Sequence, residues 1–297
     1  MWTEFVAADG LVRATPEGKQ KLLADLLYTE AERPIVAQLF SSTPEHMEAA
    51  AALCLELGFD GVDINMGCPD RSIEKQGCGA AMIKNPQSAR AIMQAAKRGA
   101  QTGTTSGIPV SVKTRLGYNQ DELEAWLPVL LEETPAAVTI HARTRKEMSK
   151  VPARWDRVAA AVRLRDELGS QTLIIGNGDA LSLADAQQKA AATGVDGVML
   201  GRAIFGNPWL FHPDQDATTV SVPERLSALV EHTKLFSKTL PFKNFAIMKK
   251  HYKAYVHSFP GAAELRAELM SKHSAEEVAA AVDTFLKEEA ATVHSIY

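Results

Sequence analysis

Hydrophobic and polar positions fall into two kinds of run along this chain. Short apolar stretches rich in Val, Ile and Leu occupy 34–40, 61–65, 110–114, 137–141, 173–176 and 197–201, and read as strands. Longer stretches between them carry apolar residues three and four apart and read as helices. One opens at Thr43-Pro44, sets Ala49, Leu53 and Leu57 on its apolar face and stops at Gly58. Another opens at Asn85-Pro86 and runs through Ile92 and Ala96, and others cover 121–133, 155–168 and 182–193. A strand-like run over 2–8 begins the chain, and Thr15 followed by Pro16 marks an N-cap and a first helical residue. Strand and helix therefore alternate seven times. The strands read as near-continuous apolar runs, the pattern of a parallel sheet covered on both faces. This predicts an α/β fold, a TIM-type (β/α) barrel one unit short of the eight that close such a barrel.

From about Pro223 the pattern changes to helices only, over 224–239, 242–258, 262–271 and 275–292, the last opened by the capping box Ser274-Ala275-Glu276-Glu277. A helical domain at 221–297 is thus expected after a barrel domain at 1–220. Between Lys234 and His273 eight Lys and Arg stand against two Glu. Tyr252, Tyr255, His251 and His257 are interleaved with them, a combination that fits nucleic-acid binding as well as it fits a solvated helix face.

Composition narrows the picture. Of 297 residues, 46% are hydrophobic and 23% charged, which suits a globular protein with a sizeable core. The net charge of -4 argues against general coating of a polyanion but leaves room for a local basic surface. Cys54, Cys68 and Cys78 form no CxxC pair and no even-numbered framework, so reduced thiols without disulfide or metal are expected, in the cytoplasm. No apolar run approaches the roughly 18 residues of a membrane span. The first residues lack the pattern of a signal peptide and resemble the inside of a strand, so a preceding segment is expected to be missing.

The chemistry gathers at strand ends, where the active sites of α/β barrels lie. Asp63 to Asp70 ends a strand in Asn65, Gly67, Cys68 and Pro69. Cys68 reads either as a reactive group or as a half-buried structural thiol. Gln38, Lys113, Arg115, His141 and Arg143 lie in or just after other strands, where packing alone calls for apolar residues, and burying each without a partner would cost several kcal/mol. Asn177-Gly178-Asp179 and Gly201-Arg202-Ala203 follow the last two strands, where barrels commonly hold a phosphate. Arg202 would add a bidentate contact, although two tight glycine turns would look the same.

Together these stretches resemble the tRNA-dihydrouridine synthases of bacterial type. The resemblance rests on Asp63 to Asp70 with Gly77-Cys78-Gly79-Ala80-Ala81, Val112 to Gly117, Thr139 to Thr144, Gly176 to Asp179, and Gly201 to Ala203. It extends to Met248 to His251 and Phe259 to Arg266, which are similar to that family's tRNA-binding helical domain. The family's N-terminal strand with its Pro-Met pair, and the helix after it, have no counterpart here. The resemblance implies an FMN-binding barrel that reduces the C5=C6 bond of tRNA uridines with NADPH as reductant. It implies that Gln38, Lys113 and His141 contact the flavin, that Asn177, Gly178, Gly201 and Arg202 hold its phosphate, and that Asn65 orients the uracil. Arg143 would lie near the RNA, Lys249, Lys250 and Lys253 would contact tRNA, and Cys68 would be the catalytic acid. No protein partner and no membrane are implied. A flavin barrel acting on a free pyrimidine or dihydroorotate, and a truncated, non-catalytic tRNA-binding protein, are the alternatives.

Overall fold

The computed structural model describes residues 1–103, 107–212 and 219–294, with side chains as far as 289. The chain divides into two compact units, Met1–Ala180 with Ala184–Leu200, and Leu181–Leu183 with Gly201–Tyr297. In the first unit the strands are β1 Val6–Ala7, β2 Val36–Phe40, β3 Gly61–Met66, β4 Val110–Arg115, β5 Ala137–His141, β6 Leu173–Asn177 and β7 Gly197–Met199. All pair in parallel and in sequence order, β1 to β7, and among the described residues no ladder joins β7 back to β1. The helices are α1 Ala8–Arg13, α2 Pro16–Leu23, α3 Pro44–Glu56, α4 Arg71–Glu74, α5 Pro86–Gly99, α6 Leu123–Glu132, α7 Trp155–Glu167 and α8 Leu183–Thr193. The seven-unit α/β barrel-type sheet expected from the periodicity is therefore what forms.

Two faces of this sheet differ, and this corrects the expectation of continuous apolar strands. Ala37, Leu39, Val62, Ile64, Met66, Val112, Val138, Ile140 and Ile174 are each at most 1% exposed and pack into one core with Met47, Cys54, Ile92, Leu127 and Val158 of the helices. Burial of each large apolar side chain contributes about 1.5–3 kcal/mol. Side chains alternate along a strand, so the residues between these point to the other face. There stand Gln38, Asp63, Asn65, Ser111, Lys113, Arg115, Thr139, His141 and Asn177. The helices cover one face only, which leaves the opposite one available for polar groups.

The first residues differ from a plain strand. Trp2 bridges Val36, whereas Val6 pairs with Leu39, so four steps on one strand match three on its neighbour. That mismatch is a bulge, and Thr3 Oγ1 accepts from Gln38 N at 3.0 Å where the ladder is interrupted. The ladder itself covers only Val6–Ala7 before α1 begins at Ala8. Thr15 caps α2 as expected, its side chain accepting from Gly18 N at 3.3 Å.

The second unit holds α9 Val222–Thr239, α10 Lys249–Tyr255, α11 Ala262–Ser271 and α12 Ala275–His294. Ser221 and Glu224 form a capping box on α9. The single helix expected over 242–258 is instead a 3-10 turn, Phe245–Met248, running into α10, because Asn244 caps a new start by accepting from Ala246 N at 2.9 Å. Before α12, Ser274 Oγ accepts from Glu277 N at 3.2 Å, but the Glu277 carboxylate reaches back to His273 N at 2.7 Å, one residue beyond the predicted box. Leu226, Leu229, Met248, Tyr252, Val256, Leu265, Leu269 and Val278 form the core of this unit.

Candidate active site

Parallel register stacks the polar face of the first unit into layers. Gln38 pairs with Asp63 and Asp63 with Ser111, in one layer across β2, β3 and β4. One step toward the carboxyl ends, Asn65 pairs with Lys113 and Lys113 with Thr139. At the top Arg115 pairs with His141 and His141 with Asn177. Most of the residues predicted from strand ends thus come together on one face.

The lowest layer is a buried hydrogen-bonded row. Ser111 Oγ donates to Asp63 Oδ1 at 2.6 Å and Gln38 Nε2 to Asp63 Oδ2 at 2.7 Å. Asn65 Nδ2 donates to Gln38 Oε1 at 3.0 Å. Asp63 is 0% exposed, and burial pushes its carboxyl up to about 6, against the lowering effect of Ser111, Gln38 and the charge on Lys113. Lys113, half-buried, is pushed down to about 8, first by burial and then by Arg115, with Asp63 and Cys68 opposing. Its ammonium has no hydrogen-bond or ion-pair partner among the described residues.

Beyond β3 the chain turns through the Cys68 loop. Asn65 Oδ1 accepts from Gly67 N at 3.1 Å and Cys68 N at 2.9 Å, and Asp70 Oδ1 caps α4 by accepting from Ser72 N at 2.7 Å. Ala80 N donates to Cys68 O at 2.9 Å, closing the loop on itself. Gly79 sits there at φ +60°, and a Cβ on it would come 2.7 Å from Cys68 O, so only glycine fits. The Cys68 thiol is half-buried against the cluster of Phe40, Ile73 and Cys78, and burial raises it more than the Asp70 backbone N–H lowers it. Cys78 is buried with its Sγ 3.6 Å from Gln76 O, and Cys54, in the α3 core, is pushed up to about 12.

Arg115 ties this loop to the one after β5. Its Nε donates to Gly67 O at 2.7 Å, and its Nη1 to Thr144 O and Met148 O, each at 3.2 Å. Glu74 of α4 also pairs with Arg145, whose guanidinium lies 5.1 Å from the Tyr118 ring centroid. Arg143, the residue expected near RNA, is 2% exposed. It donates to Val151 O at 2.6 Å and to His141 Nε2 at 3.1 Å, and pairs with Asp179. A guanidinium only donates, so His141 Nε2 accepts and the ring is neutral with its proton on Nδ1. Burial, then Arg115, Lys113 and Arg143, push His141 down to about 3.

Asn177 Nδ2 donates to Met199 O at 2.8 Å, joining β6 to β7. Gly178 follows at φ +124°, where a Cβ would lie 2.9 Å from Ala153 Cβ and 3.2 Å from His141 Cδ2. Gly201 and Arg202, the other half of the expected phosphate cradle, belong to the second unit, Arg202 opening a 3-10 turn, Arg202–Ile204.

In the second unit Lys249, Lys250, Lys253 and Arg266 line a groove of about 470 Å³ together with Tyr252, Ala263 and Met270. The interleaved aromatics correct the stacking argument. Tyr252 and Tyr255 are 0% and 4% exposed, because their spacing of three on α10 puts both on its inner face, in the core.

Asp63 and Asp179 stand in stretches quoted from the sequence but received no role of their own there, and Ser111 was not singled out. Asp63 carried a signal nonetheless, since an acidic residue between Val62 and Ile64 breaks the apolar run on the face that also holds Asn65.

A model of the dihydrouridine synthase family matches residues 1–291 of this chain. A probable tRNA-dihydrouridine synthase of Staphylococcus aureus (strain MRSA252) is 39% identical over 287 residues, covering 96% of this chain and 84% of that protein. The probable tRNA-dihydrouridine synthase 2 of Bacillus subtilis (strain 168) is 39% identical over 290 residues, covering 96% and 85%. Among solved structures, histamine dehydrogenase from Rhizobium sp. 4-9 aligns with a TM-score of 0.49 at 12% identity, over 71% of this chain and 40% of that one, a likeness too weak to argue from.

Proposed function

The chain belongs to the dihydrouridine synthase family, and we propose that it reduces uridines of tRNA to 5,6-dihydrouridine with a bound FMN, NADPH being the reductant. Relatives named as probable tRNA-dihydrouridine synthases support tRNA as the substrate. Among the described residues no helix is long and apolar enough to cross a membrane.

The observation that carries the flavin reading is the Lys113 ammonium, which makes no hydrogen bond or ion pair among the described residues and lies in the layer it shares with Asn65. A cation in that position fits an electron-rich, hydrogen-bond-accepting ring system. Gln38, Lys113 and the neutral His141 would hold the flavin ring and ribityl chain. Asn177 and Gly178 would contact its phosphate. Reduced FMN, when bound, supplies the hydride for C6 of the uracil.

The remaining step belongs to Cys68. Adding hydride at C6 leaves an electron pair at C5, delocalised onto the neighbouring carbonyl oxygen. The Cys68 thiol gives its proton to C5 and becomes a thiolate that takes a proton back from solvent. A donor must hold its proton until that moment, and burial of Cys68 raises its thiol in the required direction. Asn65 would orient the base, Arg143 would brace the site on the RNA side, and Lys249, Lys250 and Lys253 would engage the tRNA backbone. The base must leave its stack to reach such a site, at a cost of a few kcal/mol.

Cys68→Ala tests the assignment. Bound flavin should still be reduced by NADPH, while dihydrouridine formation falls by about 10²–10⁴-fold, the usual contribution of a general acid. Undiminished turnover would remove Cys68 from this role, and a purified protein that takes up no FMN would sink the flavin reading itself.

A further inference from the structure

Asp63 is wholly buried in the lowest layer of the site, and neither the proposed flavin contacts nor the proton transfer makes use of it. We infer that Asp63 is a positioning residue, which fixes the backbone of the Cys68 loop through a directional relay of two side-chain amides, Gln38 and Asn65.

The two ends of a side-chain amide are nearly the same shape, so packing alone does not decide which end faces which neighbour. A carboxylate does decide it, because it only accepts. Asp63 Oδ2 therefore takes Gln38 Nε2, at 2.7 Å, which leaves Gln38 Oε1 to accept from Asn65 Nδ2 at 3.0 Å. Asn65 Oδ1 is then left facing the loop, where it accepts from Gly67 N at 3.1 Å and Cys68 N at 2.9 Å. Ser111 Oγ anchors the far end by donating to Asp63 Oδ1 at 2.6 Å. Each link has ordinary hydrogen-bond geometry. The three side chains are 0%, 7% and 8% exposed for Asp63, Gln38 and Asn65, so water does little to compensate a reversed link. Reversing Gln38 would turn Asn65 with it and set an NH₂ group against two backbone N–H groups, leaving buried donors unpaired. The polarity of the relay thus runs from a carboxylate in the floor of the site to the backbone amide of Cys68.

The inference rests on Cys68 as the proton donor for its meaning, but its test does not depend on that role. In the full-length protein, alkylation of Cys68 by iodoacetamide, followed by peptide mass spectrometry, reports how firmly the loop is held. The rate is followed against pH, and its limit at full thiolate reads geometry apart from any change in the titration of the thiol. Asp63→Asn removes the acceptor-only end, and Gln38→Glu sets two carboxyl groups face to face. Each should raise the alkylation rate by about tenfold, the effect of loosening the loop by about 1.4 kcal/mol. The double variant Asp63→Asn/Gln38→Glu keeps the wild-type net charge and rebuilds the polarity. Asn at 63 donates to Glu at 38, whose other oxygen again accepts from Asn65. Its rate should return to within about twofold of wild type. A double variant no slower than the faster single one, or single variants at the wild-type rate, overturns the relay. In case a single variant fails to fold, hydrogen exchange on the wild-type protein serves as well. Gly67 and Cys68 amides should be protected like those of β3, and fast exchange there overturns the proposal. Cys68→Ala tests proton donation by turnover, so the two readings can fail separately.

Discussion

Removing the Lys113 ammonium should stabilise the flavin-free protein. Lys113 is pushed down from 10.5 to about 8, chiefly by burial. At 1.36 kcal/mol per pKa unit, keeping it charged at pH 7 costs the folded state about 3 kcal/mol. Lys113→Met keeps the length of the side chain and removes the charge. One opposing effect must be subtracted, because the ammonium helps keep Asp63 ionised at a carboxyl value of about 6. That loss is bounded, since a carboxyl whose value rises past the ambient pH simply takes a proton, so at pH 7 it comes to no more than about 1.4 kcal/mol. The net gain is about 2–3 kcal/mol, which for a protein of this size raises Tm by roughly 4–12 °C.

The sign of the pH dependence follows from the direction of the shift. A lysine depressed in the folded state weakens the fold below its folded value and ceases to do so as pH climbs toward its unfolded value. The gap between variant and wild type should be full below pH 8 and close between about 8 and 10.5. Thermal melts of flavin-free protein at pH 7 and pH 10 give both numbers. On the proposed flavin reading, added FMN should stabilise the wild type more than the variant, which would lack the Lys113 contact. A variant less stable than wild type at pH 7, or a gap that does not change with pH, would refute the reasoning, since either result means the ammonium has a partner in the folded protein.

Two further outcomes follow from geometry. Replacing Lys249, Lys250 and Lys253 by Gln should weaken tRNA binding and lower the slope of log affinity against log salt by about 2–3, measured by filter binding across a salt series, and an unchanged slope returns these residues to a solvated helix face. Gly178→Ala meets both a positive φ and contacts of 2.9 and 3.2 Å with Ala153 and His141. It should cost about 1–3 kcal/mol in a denaturant titration and lower FMN uptake with it.

What the sequence made legible were the departures from its own pattern. Gln38, Lys113 and His141 stand out because a charged or amide side chain replaces an apolar one inside a strand, and β2, β4 and β5 carry them on one face. The relay stayed hidden because its links join residues 25, 27 and 48 positions apart, and only the register of three strands brings them level. Periodicity fixes which face a residue takes, but it says nothing of which neighbour stands opposite. The aromatics of α10 failed for the converse reason. Tyr252 and Tyr255 look like a stacking platform when the chain is read linearly, but helical spacing turns them inward while Lys249, Lys250 and Lys253 line the groove. The bulge at Thr3 is a one-residue mismatch between two short extended runs, below what an alternation pattern resolves.

The same geometry bears on why Cys68 is suited to giving a proton and not to attacking as a nucleophile. A nucleophilic cysteine is usually activated by a cation that favours its thiolate. Arg115 is close enough to act on the thiol, and alone it would push in that direction. Its guanidinium hydrogen bonds among the described residues, however, go to the carbonyls of Gly67, Thr144 and Met148 and not to the sulfur. His141, the usual activating base in such a site, is neutral with Nε2 already accepting from Arg143. Burial therefore decides the balance, helped by the negative charges of Asp70 and Glu74, and the thiol is raised. On the reading proposed above, Arg115 is thereby left to hold backbone and Lys113 to hold the flavin, while the proton would stay on Cys68 until carbanion character develops at C5.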